Sequence, residues 1–342
     1  MNSVGAATPI DLSGVYKVEG FDTWDNFVIE AAEGVLHRYA LCATEGLEQE
    51  RHRQAALRHA VSTDDGVNWQ DLDVVLKANN DGTWPDLVIW GSNGIFRTMP
   101  GGRHEFVLFV TGCNDPTQQR IGVTRSNDGQ NFPPPKVVLD PTPEMGYDIT
   151  DDDGILMAWR DPFVFRDRKH GPWHMLFAAK AAMPAGPPIA TVGHAIAQDD
   201  DLEQWELQSP LQLPRHYRQL EVPSLVQRPG RYYLFVSTQN YPDKSTNKAK
   251  QAAFRGYVAS SLLGPWKFVY GETDLIYGHK IYAPLVFKRG KGSGKYAAVA
   301  FFSEDTTLPI TATPLIDIEW EMDEHLGWER PVFDFEAVER FF

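Results

Sequence analysis

Apolar residues occur along this chain in short segments that recur at a regular spacing. Five such segments, most of them entered from a turn, recur roughly every 60 to 68 residues. An apolar run of this length bounded by turn residues predicts a buried strand. The five segments are 35–44, 103–112, 171–180, 230–239 and 294–303.

A second strand is predicted directly after each of the first four segments. It consists of small and β-branched residues, followed by a polar Asp/Gly turn and an aromatic residue that opens the next strand. The Asp-Gly pairs at 65–66 and 128–129 favour tight hairpins. No long amphipathic helix is visible between these strands. The pattern therefore predicts a series of antiparallel β units along the chain.

Four strands per unit, repeated five times and closed into a ring, predict an all-β fold, namely a five-bladed β-propeller with four-stranded antiparallel blades. A pair of β-sandwiches is the alternative, but it would not require an equal period. Because the repeats fill the chain, we expect residues 1–342 to form a single propeller domain.

Acidic residues occupy similar positions in three of the predicted blades. The innermost strand of a blade lines the central channel and lies about ten residues before each recurrent segment. This offset places Asp25, Asp161 and Glu221 at nearly equivalent positions, so we expect their carboxylates to converge in one funnel. Asp22 is a competing candidate in the first blade. The alternative for each residue is a structural salt bridge, for instance with Arg160, or a strand-end cap.

Converging carboxylates suit glycoside hydrolysis, which needs one protonated and one ionised carboxyl group. Crowding of like charges raises the pKa of one member and so supplies the acid. We expect Glu221, with its longer side chain, to be the acid and Asp25 to attack the anomeric carbon. Asp161 would hold substrate hydroxyls and stabilise the oxocarbenium-like transition state.

Aromatic and polar residues near the inner strands are candidates for contacts with a sugar. Arg160 would bind a substrate hydroxyl or orient Asp161, and Ser92 is predicted at the position of the second blade that corresponds to Asp25. A sugar ring packs well on an aromatic face, whereas filling of the β core is the alternative for each aromatic residue. These aromatic residues are Trp24, Trp84, Trp90, Trp159 and Tyr282.

The same residues resemble motifs of the fructosidase clan, glycoside hydrolase families 32 and 68, which includes invertases and levansucrases. Trp24-Asp25-Asn26 resembles the motif of the nucleophile, Trp159-Arg160-Asp161-Pro162 the Arg-Asp-Pro motif of the transition-state stabiliser, and Leu220-Glu221-Val222-Pro223 the Glu-x-Pro motif of the acid/base. The resemblance covers nearly the whole chain. It implies a retaining enzyme that acts on sucrose or fructo-oligosaccharides through a covalent glycosyl-enzyme, by hydrolysis or fructosyl transfer.

The chain departs from both families at these motifs. The Asn-Asp-Pro-Asn-Gly and Glu-Cys-Pro sequences usual in family 32 are absent, and Val222 replaces part of the family 68 pattern. The family 43 arabinosidases and xylosidases share the fold and usually invert. Gly278-His279, with Tyr282 nearby, is somewhat like their last-blade His region, which adds His279 to the substrate-binding candidates. A non-catalytic sugar-binding propeller is the third hypothesis.

The composition and charge of the chain limit which binding partners are expected. With 32 basic and 46 acidic residues the formal net charge is −14, which argues against nucleic acid and anionic membranes and leaves carbohydrate as the expected partner.

The sequence shows no metal or cofactor motif. Cys42 and Cys113 form no metal or disulfide motif, and the scattered histidines give no zinc site, so we expect no cofactor. The acidic stretch 151–153 lacks EF-hand spacing and is predicted to be a solvated turn rather than a Ca²⁺ site.

Neither a signal peptide nor a long apolar run is visible, so we expect a cytoplasmic protein or one exported without a leader.

Overall fold

The computed structural model confirms the all-β prediction. In the described part of the chain, 21 strands form five antiparallel sheets around one axis, and α1 (Glu336–Glu339) is a single short α-helix. None of the described helices is long and apolar enough to cross a membrane. The structure describes residues 11–342 except 32–33, 100, 116, 151–156, 168–169, 186–187, 215–216, 218, 241–250, 279, 291–293 and 303–309.

The five blades follow one another along the chain, and the strand order within each runs from the axis outward. Blade 1 contains β1 (Phe21–Glu30), β2 (Leu36–Thr44), β3 (Ala56–Ser62) and β4 (Gln70–Leu76). Blade 2 contains β5 (Val88–Thr98), β6 (His104–Cys113), β7 (Gln119–Ser126) and β8 (Lys136–Leu139). Blade 3 contains β9 (Trp159–Arg166), β10 (Trp173–Ala181), β11 (Ile189–Ala197) and β12 (Trp205–Gln208).

The last two blades differ slightly in strand content. Blade 4 contains β13 (Gln219–Arg228), β14 (Arg231–Asn240), β15 (Gln251–Ala259) and β16 (Lys267–Phe268), and β17 (Leu275–Tyr277) also pairs with β15. Blade 5 contains β18 (Ile281–Arg289), β19 (Lys295–Phe302), β20 (Ile316–Asp323) and β21 (Trp328–Phe333). The five recurrent segments of the sequence are thus the second strands β2, β6, β10, β14 and β19.

The ring is closed where the chain enters blade 1. Tyr16 pairs with Ala312 in an antiparallel bridge, and its hydroxyl donates to Asp71 Oδ1 of blade 1 at 2.5 Å. The Thr23 N–H donates to the Ile310 carbonyl at 2.8 Å. These contacts tie the first blade to the last one and hold the inner strands at fixed positions around the axis.

Aromatic side chains fill the space between neighbouring blades. Phe333 of blade 5 packs edge-on against Phe235 and Phe254 of blade 4, with ring centroids 5.7 and 5.2 Å apart. In blade 2, Trp84 occupies space left by two glycines, since a Cβ on Gly122 would lie 2.4 Å from its ring. Packing of this density leaves little freedom for the inner strands to shift.

Every inner strand carries a β-bulge at the same depth. The extra residue is Asp25 in β1 and Gly91 in β5, and the strands β9, β13 and β18 skip one partner at Asp161-Pro162, Val222-Pro223 and Ala283-Pro284. Asp25, Asp161, Val222 and Ala283 all have positive φ, between 35° and 57°. Proline fits directly after such a bulge because the interrupted ladder needs no N–H donor there. Bulges of this kind commonly redirect side chains toward an active site.

Candidate active site

One pocket on the propeller axis receives residues from all five inner strands. Asp25 and Asp161 project from the bulges of β1 and β9, which confirms that two of the predicted carboxylates converge. The complete lining consists of Asp25, Asn26, Gly91, Ser92, Asp161, Pro162, Val222 and Leu285. The competing candidate Asp22 is buried and lies outside this lining.

Glu221 lies one residue before the bulge position of its blade, because the residue equivalent to Asp161 is Val222. Its carboxylate is held from two neighbouring blades. Arg160 Nη2 donates to Glu221 Oε1 at 2.8 Å, and the Tyr282 hydroxyl donates to Oε2. The Glu221 side chain retains 15% exposure, so the carboxylate is oriented by two donors without being fully buried, although Glu221 is not among the lining residues of the pocket.

Asp161 is fixed through both its backbone and its side chain. Its N–H donates to Thr111 Oγ1 at 2.9 Å, and its Oδ2 accepts from the Val222 N–H at 3.1 Å. Thr111 in turn donates to the Gly91 carbonyl at 2.8 Å. Asp161 therefore connects the bulges of blades 2, 3 and 4, through its N–H toward blade 2 and through its carboxylate toward blade 4.

Arg160 is a buried cation between the carboxylates. Besides Glu221, its Nη2 donates to Gln219 Oε1 at 3.0 Å, and its Nη1 donates to the Met157 carbonyl at 3.1 Å. Its Nε lies 3.7 Å from Asp161 Oδ2. Although burial disfavours the charge, Glu221 and Asp161 raise the pKa of the Arg160 guanidinium above its ordinary value. Arg160 therefore stays charged and partly neutralises the cluster.

Burial and like charges raise the pKa of two carboxyl groups in the funnel. For Asp161 burial is the largest cause, opposed by Arg160 and reinforced by Glu221, and the pKa is raised to about 6. For Asp25 burial, then Asp161 and Glu221, raise the pKa well above the ordinary value against the opposing effect of Arg160 and Arg51. Because these groups titrate together, the cluster retains a proton in weakly acidic solution. A shared proton of this kind is what general acid catalysis needs.

Two buried glutamines at Arg160 were missed in the sequence. Gln119 Oε1 accepts from the Trp159 N–H at 3.0 Å, and its Nε2 donates to the Met157 carbonyl at 2.6 Å. Gln219 is two residues before Glu221, so strand alternation places both on one face and could have identified it. Nothing in the sequence near Gln119, at the start of β7, indicates its role.

The other substrate-binding candidates have mixed surroundings. Trp24 is only 1% exposed, and Trp90 is partly exposed while donating through Nε1 to the His52 carbonyl at 2.7 Å. Ser92 is buried and lies one residue after Gly91, so the prediction that Ser92 corresponds to Asp25 is wrong by the one residue that the bulge inserts.

Two further aromatic candidates pack within the protein. Trp159 is fully buried in the core between blades 2 and 3, and Trp84 fills the space beside the blade 2 glycines. His279 and the acidic stretch 151–153 lie outside the described residues. Within the residues that the structure describes, no group of three or more His, Cys, Asp or Glu side chains could hold a metal ion.

The protein is thus a five-bladed β-propeller that has acidic side chains and a buried arginine around its axial pocket. The model of the glycosyl hydrolases family 32 N-terminal domain matches residues 47–312. This match spans well over half of the chain, so the chain belongs to that family. Asp161 and Glu221 lie inside the matched residues, whereas Asp25 precedes them, which agrees with the unusual sequence around it.

Individual relatives agree with the family assignment. A levansucrase from Erwinia amylovora is 25% identical over 199 residues, which are 49% of this chain and 48% of that protein. The chain thus matches about half the length of this curated relative. A Bacillus subtilis levansucrase variant complexed with sucrose has a TM-score of 0.67 at 14% identity, over 92% of this chain and 86% of that one. A Microbacterium saccharophilum β-fructofuranosidase variant has a TM-score of 0.70 at 16% identity, over 95% and 76% of the two chains. At these identities the two structures show that the fold is shared.

Proposed function

We propose that the protein is a glycoside hydrolase that acts on fructosides such as sucrose or fructo-oligosaccharides, by hydrolysis or by fructosyl transfer. The proposal rests on one observation: the carboxyl groups of Asp25, Asp161 and Glu221 interact electrostatically with one another and with Arg160, in a chain of family 32. The levansucrase and β-fructofuranosidase relatives support fructosides as the substrate class.

In the proposed first step Asp25 attacks the anomeric carbon while the bond to the leaving oxygen breaks. Glu221 gives its proton to that oxygen, so a covalent glycosyl-enzyme and a free alcohol result. In the second step Glu221 takes the proton from water or from an acceptor hydroxyl, whose oxygen attacks the same carbon and releases Asp25. An acceptor hydroxyl gives transfer, and water gives hydrolysis.

The remaining groups stabilise the reaction electrostatically. Asp161, held by Thr111 and Val222, is positioned to bind substrate hydroxyls and to offset the positive charge that develops on the sugar. Arg160 and Tyr282 orient Glu221 from two sides. Productive chemistry needs one proton on Glu221 and an ionised Asp25, so only one distribution of the cluster's protons is active. We therefore expect a narrow, bell-shaped dependence of activity on pH.

The separate release of glucose and fructose from sucrose tests this proposal, with Glu221→Gln as the matched inactive control. If the wild type releases glucose and fructose in equal amounts and the variant releases neither, the protein hydrolyses a β-fructoside. Glucose in excess of fructose indicates fructosyl transfer. Absence of release from well-folded wild-type protein would overturn the fructoside assignment. Arabinan and xylan oligosaccharides, for an inverting enzyme of the family 43 type, and a sugar-binding assay would then be next.

The retaining mechanism has its own test. With an activated fructosyl donor, the Glu221→Gln variant should form the glycosyl-enzyme and release it slowly. Mass spectrometry of the acid-quenched protein should then show one added hexosyl group, and peptide mapping should place it on Asp25. A reaction product with inverted anomeric configuration and no adduct would contradict retention.

A further inference from the structure

The loop between β2 and β3 contains a short 3-10 helix, Glu48–Arg53, which packs against the inner strands of two blades. The His52 ring meets Trp24 edge-on, with centroids 5.7 Å apart, and the His52 carbonyl accepts from Trp90 Nε1 at 2.7 Å. Trp24 directly precedes the bulge residue Asp25, and Trp90 directly precedes Gly91. This helix is therefore anchored beside the funnel, next to the proposed nucleophile.

Arg51 is the buried residue of this helix. It is 7% exposed, its Nη1 donates to the Glu48 carbonyl at 2.9 Å, and its guanidinium carbon lies 5.8 Å from the centroid of the Trp24 ring. Stacking on an aromatic ring and capping of its own helix restrict the rotamers of this long side chain. A positive charge is thus held at a fixed place on the blade 1 side of the funnel.

The charges that act on Asp25 come from three elements. Asp161 and Glu221, on β9 and β13, disfavour its ionised form, whereas Arg160 on β9 and Arg51 on the 48–53 helix favour it. Arg160 is already bonded to Glu221 and close to Asp161. Arg51 is the second cation that acts on Asp25, and it acts on the neighbouring carboxyl group of Asp22 as well.

We propose that Arg51 is a positioning residue that stabilises the ionised nucleophile Asp25 through its charge, without touching the substrate. The inference rests on the nucleophilic role proposed for Asp25. It explains how Asp25 can be ionised in a funnel that must also keep a proton for Glu221.

The test compares the pH dependence of kcat/KM on sucrose in the wild type, Arg51→Met, Arg51→Lys and Arg53→Gln. Methionine keeps the apolar packing on Trp24 but removes the charge, so Asp25 should protonate at a higher pH. The acidic limb of the profile should move up by about 1 pH unit in Arg51→Met. It should stay near its wild-type position in Arg51→Lys.

Arg53 provides a matched control, since it belongs to the same helix, is 60% exposed and pairs only loosely with Glu50 at 3.9 Å. Arg53→Gln should leave the profile unchanged. A uniform loss of kcat/KM at every pH in Arg51→Met, with no shift of the acidic limb, would overturn the proposal and leave only a packing role. If Arg51→Met does not fold, a shifted limb in folded Arg51→Lys would overturn it equally.

A second readout separates this inference from the proposed function. Carbon-13 NMR of protein labelled at the aspartate carboxyl carbon follows the ionisation of Asp25 directly, with the signal assigned by its loss in Asp25→Asn. The midpoint should rise in Arg51→Met and not in Arg53→Gln, whether or not sucrose is a substrate. An unchanged midpoint in Arg51→Met would refute the role of Arg51, while inactivity on fructosides with a raised midpoint would refute only the substrate assignment.

Discussion

Gly91 lies directly against the carboxylate of Asp161, so close that a Cβ on Gly91 would be 2.1 Å from Asp161 Oδ1. The blade 2 position that corresponds to Asp25 thus carries no side chain because the neighbouring carboxylate occupies its space. Gly91→Ala should force Asp161 away from the Val222 N–H that it accepts from. A displacement of this size at a catalytic group costs on the order of 100-fold in kcat.

Gly94 in the same strand is the matched control for Gly91. A Cβ there would meet Leu108 and Ile29 side chains at 2.5 and 2.9 Å and would not touch Asp161. Gly94→Ala should therefore lower the free energy of unfolding, by roughly 1–3 kcal/mol as for other overpacked cores, with kcat largely retained. Equal losses of kcat in the two variants would show that Gly91 acts through strand stability alone.

The three carboxylates should differ sharply from Asp22 in their effect on turnover. Asp25→Asn removes the group that forms the covalent bond, and Glu221→Gln removes the group that transfers the proton. In each variant kcat on sucrose should fall by at least about 100-fold. Asp161→Asn should impair the same step. Asp22→Asn should keep most of the activity, because Asp22 lies outside the pocket lining and the cation that acts on it is Arg51, whereas Glu221 is bonded directly to Arg160 beside Asp161. Unchanged far-ultraviolet circular dichroism would show that each fold is intact.

The result for Asp22 distinguishes the two first-blade candidates. If Asp22→Asn were inactive and Asp25→Asn active, the nucleophile assignment would move to Asp22. If both variants remained active, blade 1 would supply no nucleophile, and the covalent mechanism would be wrong.

Gln119 should matter for both stability and catalysis. Gln119→Met removes the acceptor of the Trp159 N–H and the donor to the Met157 carbonyl, and leaves two buried backbone groups without these partners. The Trp159 N–H left without its acceptor costs about 1–3 kcal/mol, which denaturant unfolding would measure. Since the Met157 carbonyl also accepts from Arg160, kcat should fall as well. The neighbouring exposed Gln118→Met should change neither quantity, and equal effects at both positions would contradict the role of Gln119.

The propeller could be predicted from sequence because its second strands are buried on both faces. The apolar segment 35–44 became β2, Leu36–Thr44, and the segment 294–303 became β19, Lys295–Phe302. A continuous apolar run of strand length bounded by turns has few other interpretations. The order of the blades then follows from the order of these runs.

The exact alignment of the funnel could not be predicted in the same way. A bulge inserts one residue into the inner strand, and it requires positive φ at residues such as Asp25 and Val222, which rarely adopt it. Counting back from the recurrent segments leaves out this extra residue. It therefore assigned Glu221 and Ser92 to the bulge positions that Val222 and Gly91 occupy in the structure. Thr111 and Arg51 have no local sequence signal, since Thr111 reaches Asp161 only when blades 2 and 3 pack together, and Arg51 reaches Trp24 only when the β2–β3 loop folds back on blade 1.

Two stacked histidine pairs occupy corresponding places in blades 1 and 3 and should make the fold sensitive to acid. His37 Nδ1 lies 3.0 Å from His59 Nε2, and His174 Nδ1 lies 2.9 Å from His194 Nε2. Burial lowers the pKa of His37 to about 4 and that of His59 to about 3. It lowers the pKa of His194 to about 4 and that of His174 in the same direction.

Because these pKa values are depressed in the folded protein, the pairs contribute stability that is present above the ordinary histidine pKa of about 6.5. That stability is lost as the pH falls from about 6.5 toward 4. The raised pKa values of Asp25 and Asp161 act in the opposite direction over the same range, since protonation relieves their repulsion. The contribution of the histidines must therefore be measured as a difference between variants.

In His37→Gln/His59→Gln the blade 1 pair cannot titrate, so the free energy of unfolding should fall less between pH 6.5 and pH 4 than in the wild type. The difference should be at least about 1 kcal/mol, since one pKa unit corresponds to about 1.4 kcal/mol. Urea unfolding at a series of pH values measures it. His325→Gln, at an exposed histidine, should keep the wild-type pH dependence. If the double variant lost stability on acidification as steeply as the wild type, the blade 1 pair would not be the acid-sensitive element.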